Sequence, residues 1–252
     1  MFTIPNEIIE KISQLEFDEK PYAAFDLDNT LLVGDVGEAV FASFIKKGLI
    51  QGFGWQDYQN LLYLNREAAY VKVVEIMDGL EPESLVKITY EVLKSDQSHI
   101  DINGDSIPYP RPNAIMQALI LHLKAIGIDV FVVTASNQVS AGIVCLEYFN
   151  ISYSNVFGIP VSNDSNGRLA YKPSEIPYGM GKVNVLKSKF SNKPLVTGGD
   201  GIWDTFLLDY TTDHGVRLWL GKDNQEYLKL KEEQYADKNF YHIQYQQDIP
   251  EM

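Results

Sequence analysis

The spacing of apolar and polar residues predicts alternating strands and helices over most of the chain. Tyr22–Phe25 and residues 128–133 are continuous apolar runs, as is typical of strands buried on both faces of a parallel sheet. Further strands are predicted at residues 156–161, 168–172, 194–197, 214–220 and 240–245. Helical spacing is found at residues 6–15, 113–126, 139–149 and 224–236. This alternation predicts a doubly wound, Rossmann-like α/β core.

A block of helices interrupts this alternation after the first strand. Apolar residues recur at helical spacing in residues 39–50, 55–77 and 82–94, and the stretch has no obvious strand. The turn-rich residues 101–112, with three prolines, predict an extended return to the core. We therefore predict a core of residues 1–34 and 107–252 with an inserted α-helical cap at residues 35–106.

Composition and charge narrow the class of protein. The 252 residues include 34 acidic and 21 basic ones, for a net charge of −13, which predicts no binding to nucleic acid or to anionic membranes. The single cysteine, Cys145, lies in an apolar helical segment and is expected to be a buried, inert thiol. The first residues lack the form of a signal peptide, and no apolar run has the length of a membrane span. A cytoplasmic location is expected.

Two acidic residues follow the first predicted strand directly. The carboxyl end of a strand in an open parallel sheet is where ligands bind, so Asp26 and Asp28 are candidates for a nucleophile and a proton donor. Such a pair also attracts a hard cation such as Mg²⁺, and with it a phosphate. A calcium loop would need glycine and glutamate where Leu31 and Gly37 stand. A solvated turn is the other alternative.

Four motifs, in order, resemble the signatures of the haloacid dehalogenase superfamily of phosphatases. The first is Phe-Asp-Leu-Asp-Asn-Thr-Leu-Leu at residues 25–32, and the second is the apolar strand that runs into Thr134. The third is Lys182, early in a predicted helix, and the fourth is Gly-Asp-Gly-Ile-Trp-Asp at residues 199–204. The resemblance covers roughly residues 25–208 and is strongest to the phosphoserine and phosphocholine phosphatase branch, whose members carry a helical cap.

The resemblance implies a role for each acidic residue. Asp26 would attack phosphorus and form an aspartyl phosphate, while Asp28 would act as general acid and then as general base. The metal site would comprise Asp26, Asp28 through its backbone carbonyl, and Asp200, with Asp204 orienting a metal-bound water or the lysine. The expected cofactor is Mg²⁺.

Three further groups are implied to bind the phosphate. The Thr134 hydroxyl and the Ala135 N–H would donate to phosphate oxygens, and Lys182 would offset the crowded negative charge. In isolation, Thr134 could equally cap a helix and Lys182 could be a surface lysine. Lys172 and Lys187 are the alternative lysines. A nucleotide P-loop ending at Lys182 fails at Ile176 and Val183.

The loop after the first motif is acidic and suggests a cationic substrate group. The resemblance gives Asp35 and Glu38 a role in binding a substrate amine, although Glu38 could simply favour the start of a helix. Arg66 and Arg111 are candidates for binding a substrate carboxylate. Four aromatic residues could surround a quaternary ammonium group or could instead pack in the core: Phe53, Trp55, Tyr58 and Tyr63.

The predicted function is Mg²⁺-dependent hydrolysis of a small, amine-bearing phosphomonoester such as phosphocholine, phosphoethanolamine or phosphoserine. A phosphotransferase or mutase on a small phosphorylated metabolite is one alternative, since only the acceptor differs. A non-catalytic phospho-ligand binding protein of the same fold is another, which the intact set of motif residues disfavours. Dehalogenation is disfavoured because it needs no second carboxylate, and Trp203 is expected to have a packing role.

Overall fold

A computed structural model describes residues 4–17, 20–172 and 174–244. The strands are β1 (Tyr22–Phe25), β2 (Leu32–Val33), β3 (His99–Ile102), β4 (Asp105–Pro108), β5 (Arg111–Pro112), β6 (Asp129–Asn137), β7 (Val156–Ile159), β8 (Val161–Asn163), β9 (Leu169–Tyr171), β10 (Val196–Gly199), β11 (Val216–Trp219) and β12 (Asn239–His242). The helices are α1 (Asn6–Ser13), α2 (Val36–Lys46), α3 (Trp55–Leu64), α4 (Arg66–Glu75), α5 (Pro82–Lys94), α6 (Ala114–Ala125), α7 (Gln138–Phe149), α8 (Met180–Lys189), α9 (Thr205–Asp209) and α10 (Asn224–Glu233).

A six-stranded sheet in the order β12-β11-β10-β1-β6-β7 forms the centre of the fold. The strand β1 pairs in parallel with β10 on one side and with β6 on the other. All four of its residues are buried, which accounts for its continuous apolar sequence. The strands β10, β11 and β12 continue the sheet in parallel. The predicted doubly wound, Rossmann-like α/β fold is therefore confirmed.

The chain separates into two compact units. The core unit comprises the described residues of Met1–Leu32, Pro112–Val133 and Pro177–Met252, and the helical unit comprises those of Val33–Arg111 and Thr134–Ile176. The division predicted from the sequence, a core of residues 1–34 and 107–252 with a cap at 35–106, remains a prediction.

Within the helical unit, α2 packs against α5 and α7. The hairpin formed by β8 and β9 is hydrogen-bonded to the loop between α4 and α5. The Gly79 N–H donates to the Leu169 carbonyl over 2.9 Å, and the Leu169 N–H donates to the Leu80 carbonyl over 2.9 Å. The Arg168 guanidinium contacts the Gly79 carbonyl at 2.9 Å and the Glu81 carboxylate at 2.8 Å. These contacts join residues 168–169 to residues 79–81, about 90 positions earlier in the chain. We call this set of contacts the clasp.

Several predicted elements need correction. The helix predicted at residues 55–77 is two helices, because the Asn65 backbone is extended and its side chain caps α4 by accepting from the Ala68 N–H at 3.0 Å. As expected, the structure has no strand within residues 39–94, but the β3–β4 hairpin overlaps residues 101–112, which were expected to form a simple extended return to the core. The turn residues of this hairpin, Asn103 and Gly104, both have positive φ, 51° and 90°, as a tight hairpin turn requires.

The ends of two predicted strands also differ. The strand predicted at residues 128–133 continues to Asn137, so Thr134 lies inside β6 rather than at its end. The last strand ends at His242, and Tyr245, its predicted end, lies outside the described residues. No helix in the described part of the chain combines the length and the apolar character that crossing a membrane requires.

Candidate active site

Three carboxylates converge at the carboxyl edge of the central sheet in the core unit. Asp26 directly follows β1, and its N–H donates to the carbonyl of Gly198 in β10 at 3.0 Å. Asp200 and Asp204 follow β10, and ligand atoms of the three side chains lie within 4.8 Å of one another. Two neighbouring parallel strands therefore deliver the acidic residues of the first and fourth motifs to one place.

Lys182 lies among these carboxylates. Its Nζ is 2.5 Å from Asp26 Oδ1 and 2.6 Å from Asp204 Oδ1, and its side chain is buried. Burial alone would lower the pKa of the lysine, but Asp204 and Asp26 more than offset this, so the pKa lies above its ordinary value. Lys182 is held as a buried cation in the first turn of α8.

The carboxylates carry more negative charge than one lysine can balance. Burial raises the pKa of Asp26 well above its usual range, against the opposing effect of Lys182. Burial, followed by repulsion from Asp204, raises the pKa of Asp200 to about 7. Three clustered carboxylates, two of them buried, facing one ammonium group leave an excess of negative charge that a divalent cation would offset. The donor set, all oxygen, is the one that Mg²⁺ prefers.

Asp204 differs from the other two acids in its hydrogen bonds. Its Oδ2 accepts from the N–H groups of Asp200 and Gly201, each at 3.1 Å, and its Oδ1 accepts from Lys182. A Cβ on Gly199 would lie 2.3 Å from the Asp204 Cβ, so glycine is needed there for the turn to fold back. Asp204 therefore orders the turn and the lysine, and its oxygens are less available to a metal than those of Asp26 and Asp200.

Thr30 is a site residue to which the sequence reasoning gave no role. Its buried hydroxyl lies 3.5 Å from Asp26 Oδ2 and 3.3 Å from Asp200 Oδ1. The sequence did offer a signal for this role, because Thr30 is the threonine of the first motif. Asp28 is half-buried, and its charge contributes to raising the pKa of both Asp26 and Asp200. The following residue, Asn29, has a φ of 55°, which turns the chain away from the strand.

Thr134 and Ala135 belong to the helical unit. Thr134 is buried, and its Oγ1 accepts from the Ser136 N–H at 3.1 Å, while Ala135 is half-buried. Asn137 Oδ1 caps α7 by accepting from the Ser140 N–H at 2.8 Å. The Asn137 Nδ2 atom is buried without a hydrogen-bond partner in the described part of the chain. The phosphate-binding roles of Thr134 and Ala135 remain predictions.

The residues predicted to bind substrate also lie in the helical unit. Asp35 caps α2, with Oδ1 accepting from the Glu38 N–H at 2.8 Å, and Glu38 Oε1 accepts from the Tyr58 hydroxyl at 3.0 Å. Arg66 begins α4 and is exposed. The Arg111 guanidinium donates to the carbonyls of three loop residues: Ser95, Gln97 and Pro110. It therefore has a structural task at this loop.

The aromatic residues considered for an ammonium site divide into two groups. Trp55 and Tyr58 are buried and pack against Phe41, with ring centroids 6.1 and 5.4 Å from its ring, and Phe53 lies 6.0 Å from it. Trp55 and Tyr58 are core residues, and Phe53 is half-buried. Tyr63 is 91% exposed.

The alternative lysines and the single cysteine lie outside the acidic cluster. Lys172 is exposed, and the Lys187 ammonium lies over the Tyr210 ring at 5.4 Å, so neither replaces Lys182 in the acidic cluster. Cys145 is buried in α7, as predicted.

Comparison with known proteins agrees with this geometry. A sequence model described as haloacid dehalogenase-like hydrolase matches residues 23–205. Curated protein sequences give no match. A conserved functionally unknown protein from Anaerococcus prevotii DSM 20548 has a similar structure, with a TM-score of 0.68 and 17% identity over 94% of this chain and 90% of that chain.

Two further structures with this fold carry a functional name. A phosphoserine phosphohydrolase-like protein from Francisella tularensis subsp. tularensis SCHU S4 has a TM-score of 0.53 and 16% identity, covering 79% of this chain and 86% of that one. A substrate-bound phosphoserine phosphatase has a TM-score of 0.52 and 15% identity, covering 84% of this chain and 99% of that one. These structures share the fold, and the family match spans all four motifs. The chain belongs to the haloacid dehalogenase-like hydrolase family, which confirms the resemblance seen in its sequence.

Proposed function

We propose that this protein is a Mg²⁺-dependent phosphomonoester hydrolase that acts through an aspartyl-phosphate intermediate on Asp26. The observation that carries the proposal is the buried contact of Lys182 with both Asp26 and Asp204, beside the Asp200 carboxylate. A core with no catalytic task gains little from burying Asp26, Asp204 and Lys182, because their desolvation costs several kcal/mol per ion, about as much as their attraction returns.

The first chemical step uses Asp26 as nucleophile. One Asp26 oxygen attacks phosphorus, an O–P bond forms, and the bond from phosphorus to the substrate oxygen breaks while Asp28 gives its proton to that leaving oxygen. Lys182 fixes the Asp26 carboxylate through Oδ1. In the second step, water attacks phosphorus and Asp28 takes up a proton from that water. The bond between phosphorus and the Asp26 oxygen breaks, so phosphate is released and the Asp26 carboxylate is regenerated.

The carboxylates of Asp26 and Asp200 and the backbone carbonyl of Asp28 would hold the metal. Asp204 would position the turn and Lys182. When bound, Mg²⁺ would keep the carboxylates ionised and neutralise phosphate charge. The second motif supports Thr134 and the Ala135 N–H as donors to the phosphate oxygens. A phosphotransferase would use the same groups with another acceptor, and no observation favours it.

The proposed substrate is a small phosphomonoester that carries an amine. Asp35 and Glu38 support this proposal because they place two carboxylates at the start of α2, Asp35 as its cap and Glu38 in its first turn, and both are half-buried. Each uses one oxygen for a structural hydrogen bond, and a carboxylate oxygen can accept more than one bond. Arg66 is kept as a candidate contact for a substrate carboxylate.

Asp26→Asn tests the proposal. The change keeps the shape but removes the nucleophile, so we expect kcat on phosphomonoesters to fall by at least ~10³, as for loss of a covalent nucleophile. Asp96→Asn, at an exposed acid, is the matched control. Wild-type protein quenched during turnover should carry an acid-stable, base-labile acyl phosphate that Asp26→Asn lacks. Substantial turnover by folded Asp26→Asn would contradict the mechanism.

A further inference from the structure

The start of α8, which carries Lys182, and the turn after β10, which carries Asp204, also present large apolar side chains to solvent. Met180 is 48% exposed, Ile202 is 50% exposed and Trp203 is 48% exposed. We call these three residues, with Tyr178 beside them, the apolar shelf. Large apolar side chains exposed together on a soluble protein mark a binding surface more often than scattered single ones do.

Trp203 is held firmly in this position. Asp204, the next residue, accepts from the N–H groups of Asp200 and Gly201 and from Lys182, which fixes the turn at both ends. The Trp203 ring lies 5.5 Å from the Tyr178 ring at an interplanar angle of 39°. An indole held by these contacts presents its apolar surface at little further cost in conformational entropy.

The shelf residues are close in the chain to Asp204 and Lys182, the residues that form the buried contacts of the acidic cluster. The Cα atoms of Trp203 and Asp204 are about 3.8 Å apart across one peptide bond. One hydrogen bond of 2.6 Å joins Asp204 to Lys182, and one of 2.5 Å joins Lys182 to Asp26. Met180 lies two residues before Lys182 at the start of α8.

We propose that the apolar shelf binds an apolar, ring-bearing part of the substrate's leaving group, with Trp203 as the specificity-determining residue. This inference rests on the proposed phosphatase function and adds a substrate class to it. The leaving group would carry a flat or bulky hydrocarbon portion beyond its ester oxygen, and any amine would be a separate feature. Burial of such a group against tryptophan combines apolar area with ring–ring contact.

Turnover of two esters with alcohols of similar acidity tests the proposal. Benzyl phosphate and ethyl phosphate differ in the ring but not greatly in leaving-group reactivity. In Trp203→Ala the ratio of kcat/KM for benzyl over ethyl phosphate should fall about tenfold relative to wild type, because the ring contact is lost. Trp203→Phe should restore most of the ratio. Leu121→Ala, at a side chain 66% exposed on α6, is the control and should leave the ratio unchanged.

Fluorescence provides a readout that is independent of turnover. Trp55 and Trp219 are 2% and 0% exposed, so Trp203 is the tryptophan open to acrylamide. In the presence of Mg²⁺, benzylphosphonate should reduce acrylamide quenching of wild-type protein, and methylphosphonate should not. Trp203→Phe should lose the quenchable component.

The outcomes separate this inference from the proposed function. If wild-type protein hydrolyses no phosphomonoester, including phosphocholine, phosphoethanolamine and p-nitrophenyl phosphate, the proposed function fails. If it hydrolyses these but not benzyl phosphate, the proposed function stands and the shelf proposal fails. If wild-type protein is active but Trp203→Ala leaves the benzyl-to-ethyl ratio unchanged, the shelf does not bind the leaving group. Shielding of Trp203 that rises with protein concentration without phosphonate would assign the shelf to contact with a second copy and overturn the proposal.

Discussion

The Lys182 Nζ and Asp26 Oδ1 atoms lie 2.5 Å apart, and both side chains are buried. This pair couples the stability of the protein to its proposed chemistry, because the ammonium that steadies the nucleophile also offsets the charge of the acidic cluster. Removal of the lysine leaves the two buried carboxylates, Asp26 and Asp204, without their cation, whereas removal of either acid leaves the lysine with the other partner.

Lys182→Met should therefore reduce both activity and stability. Loss of one partner of a buried ion pair costs about 3–5 kcal/mol in free energy of unfolding. We expect a decrease of that order by urea denaturation in EDTA, with kcat reduced at least ~10²-fold. Lys187→Met, five residues along the same helix, is the control and should change neither quantity greatly. A fully stable Lys182→Met protein would contradict the assignment of Lys182 as the charge-balancing cation.

The stability of the metal-free protein should decrease as pH rises from about 4 to 7. Burial and Asp204 raise the folded-state pKa of Asp200 to about 7, above the usual value of an unfolded aspartate. In this interval the folded protein binds more protons than the unfolded chain, so the free energy of unfolding falls with increasing pH. Chemical denaturation in EDTA at several pH values measures this slope. Asp200→Asn should flatten it, and an equal slope in that variant would exclude Asp200 as its source.

Chelation should abolish turnover, and Mg²⁺ should restore it. Asp26 and Asp200 supply carboxylate oxygens at the ends of adjacent strands, within 4.8 Å of each other. Because a proton competes with the cation at Asp200, Mg²⁺ affinity should weaken below pH 7, which titration calorimetry can follow. Ca²⁺ should restore activity poorly, since its larger, looser coordination suits an octahedral site badly. Turnover that is indifferent to chelator would overturn the metal assignment.

Asp35→Asn and Glu38→Gln should selectively impair amine-bearing substrates. Asparagine caps a helix as well as aspartate does, and glutamine retains an oxygen to accept from the Tyr58 hydroxyl, so both changes remove charge while keeping the observed hydrogen bonds. KM for phosphocholine or phosphoethanolamine should rise about tenfold, as expected for loss of a partly desolvated ion pair. The matched substrate is p-nitrophenyl phosphate, for which kcat/KM should hardly change. Equal losses on both substrates would assign the two acids to the helix alone.

Much of the core could be predicted because its signals are local. The strand β1 was predicted at its observed ends from four apolar residues, and Asp26, Lys182 and Asp204 were identified from short motifs. The resemblance predicted the family, the fold and the enzyme class, which the family match and the sheet confirm. The convergence of Lys182 and Asp26, 156 residues apart, depends on sheet order, which spacing alone does not determine.

Other features were missed because they depend on side-chain contacts or on competing local preferences. The side chain of Asn65 caps a helix and interrupts an otherwise continuous helical pattern. The β3–β4 hairpin around Asn103 and Gly104 was missed because the three prolines in the turn-rich residues 101–112 favoured an extended segment. Thr30 has a role only because strand order brings Asp200 within 3.3 Å of its hydroxyl. The sequence also suggested a packing role for Trp203, which is half exposed.

The clasp between the β8–β9 hairpin and the α4–α5 loop has a consequence for protein engineering. A chimera that exchanges only residues 35–106 with a relative would separate Gly79 and Leu80 from Leu169, with which they share backbone hydrogen bonds. It would also separate the Asp78 carboxylate from the Tyr171 N–H, which donates to it over 2.6 Å. Two backbone hydrogen bonds and one to a carboxylate would be lost, together with the Arg168 contacts. The transferable module therefore consists of two stretches of sequence, and a graft intended to change specificity should carry residues 161–171 together with the helices.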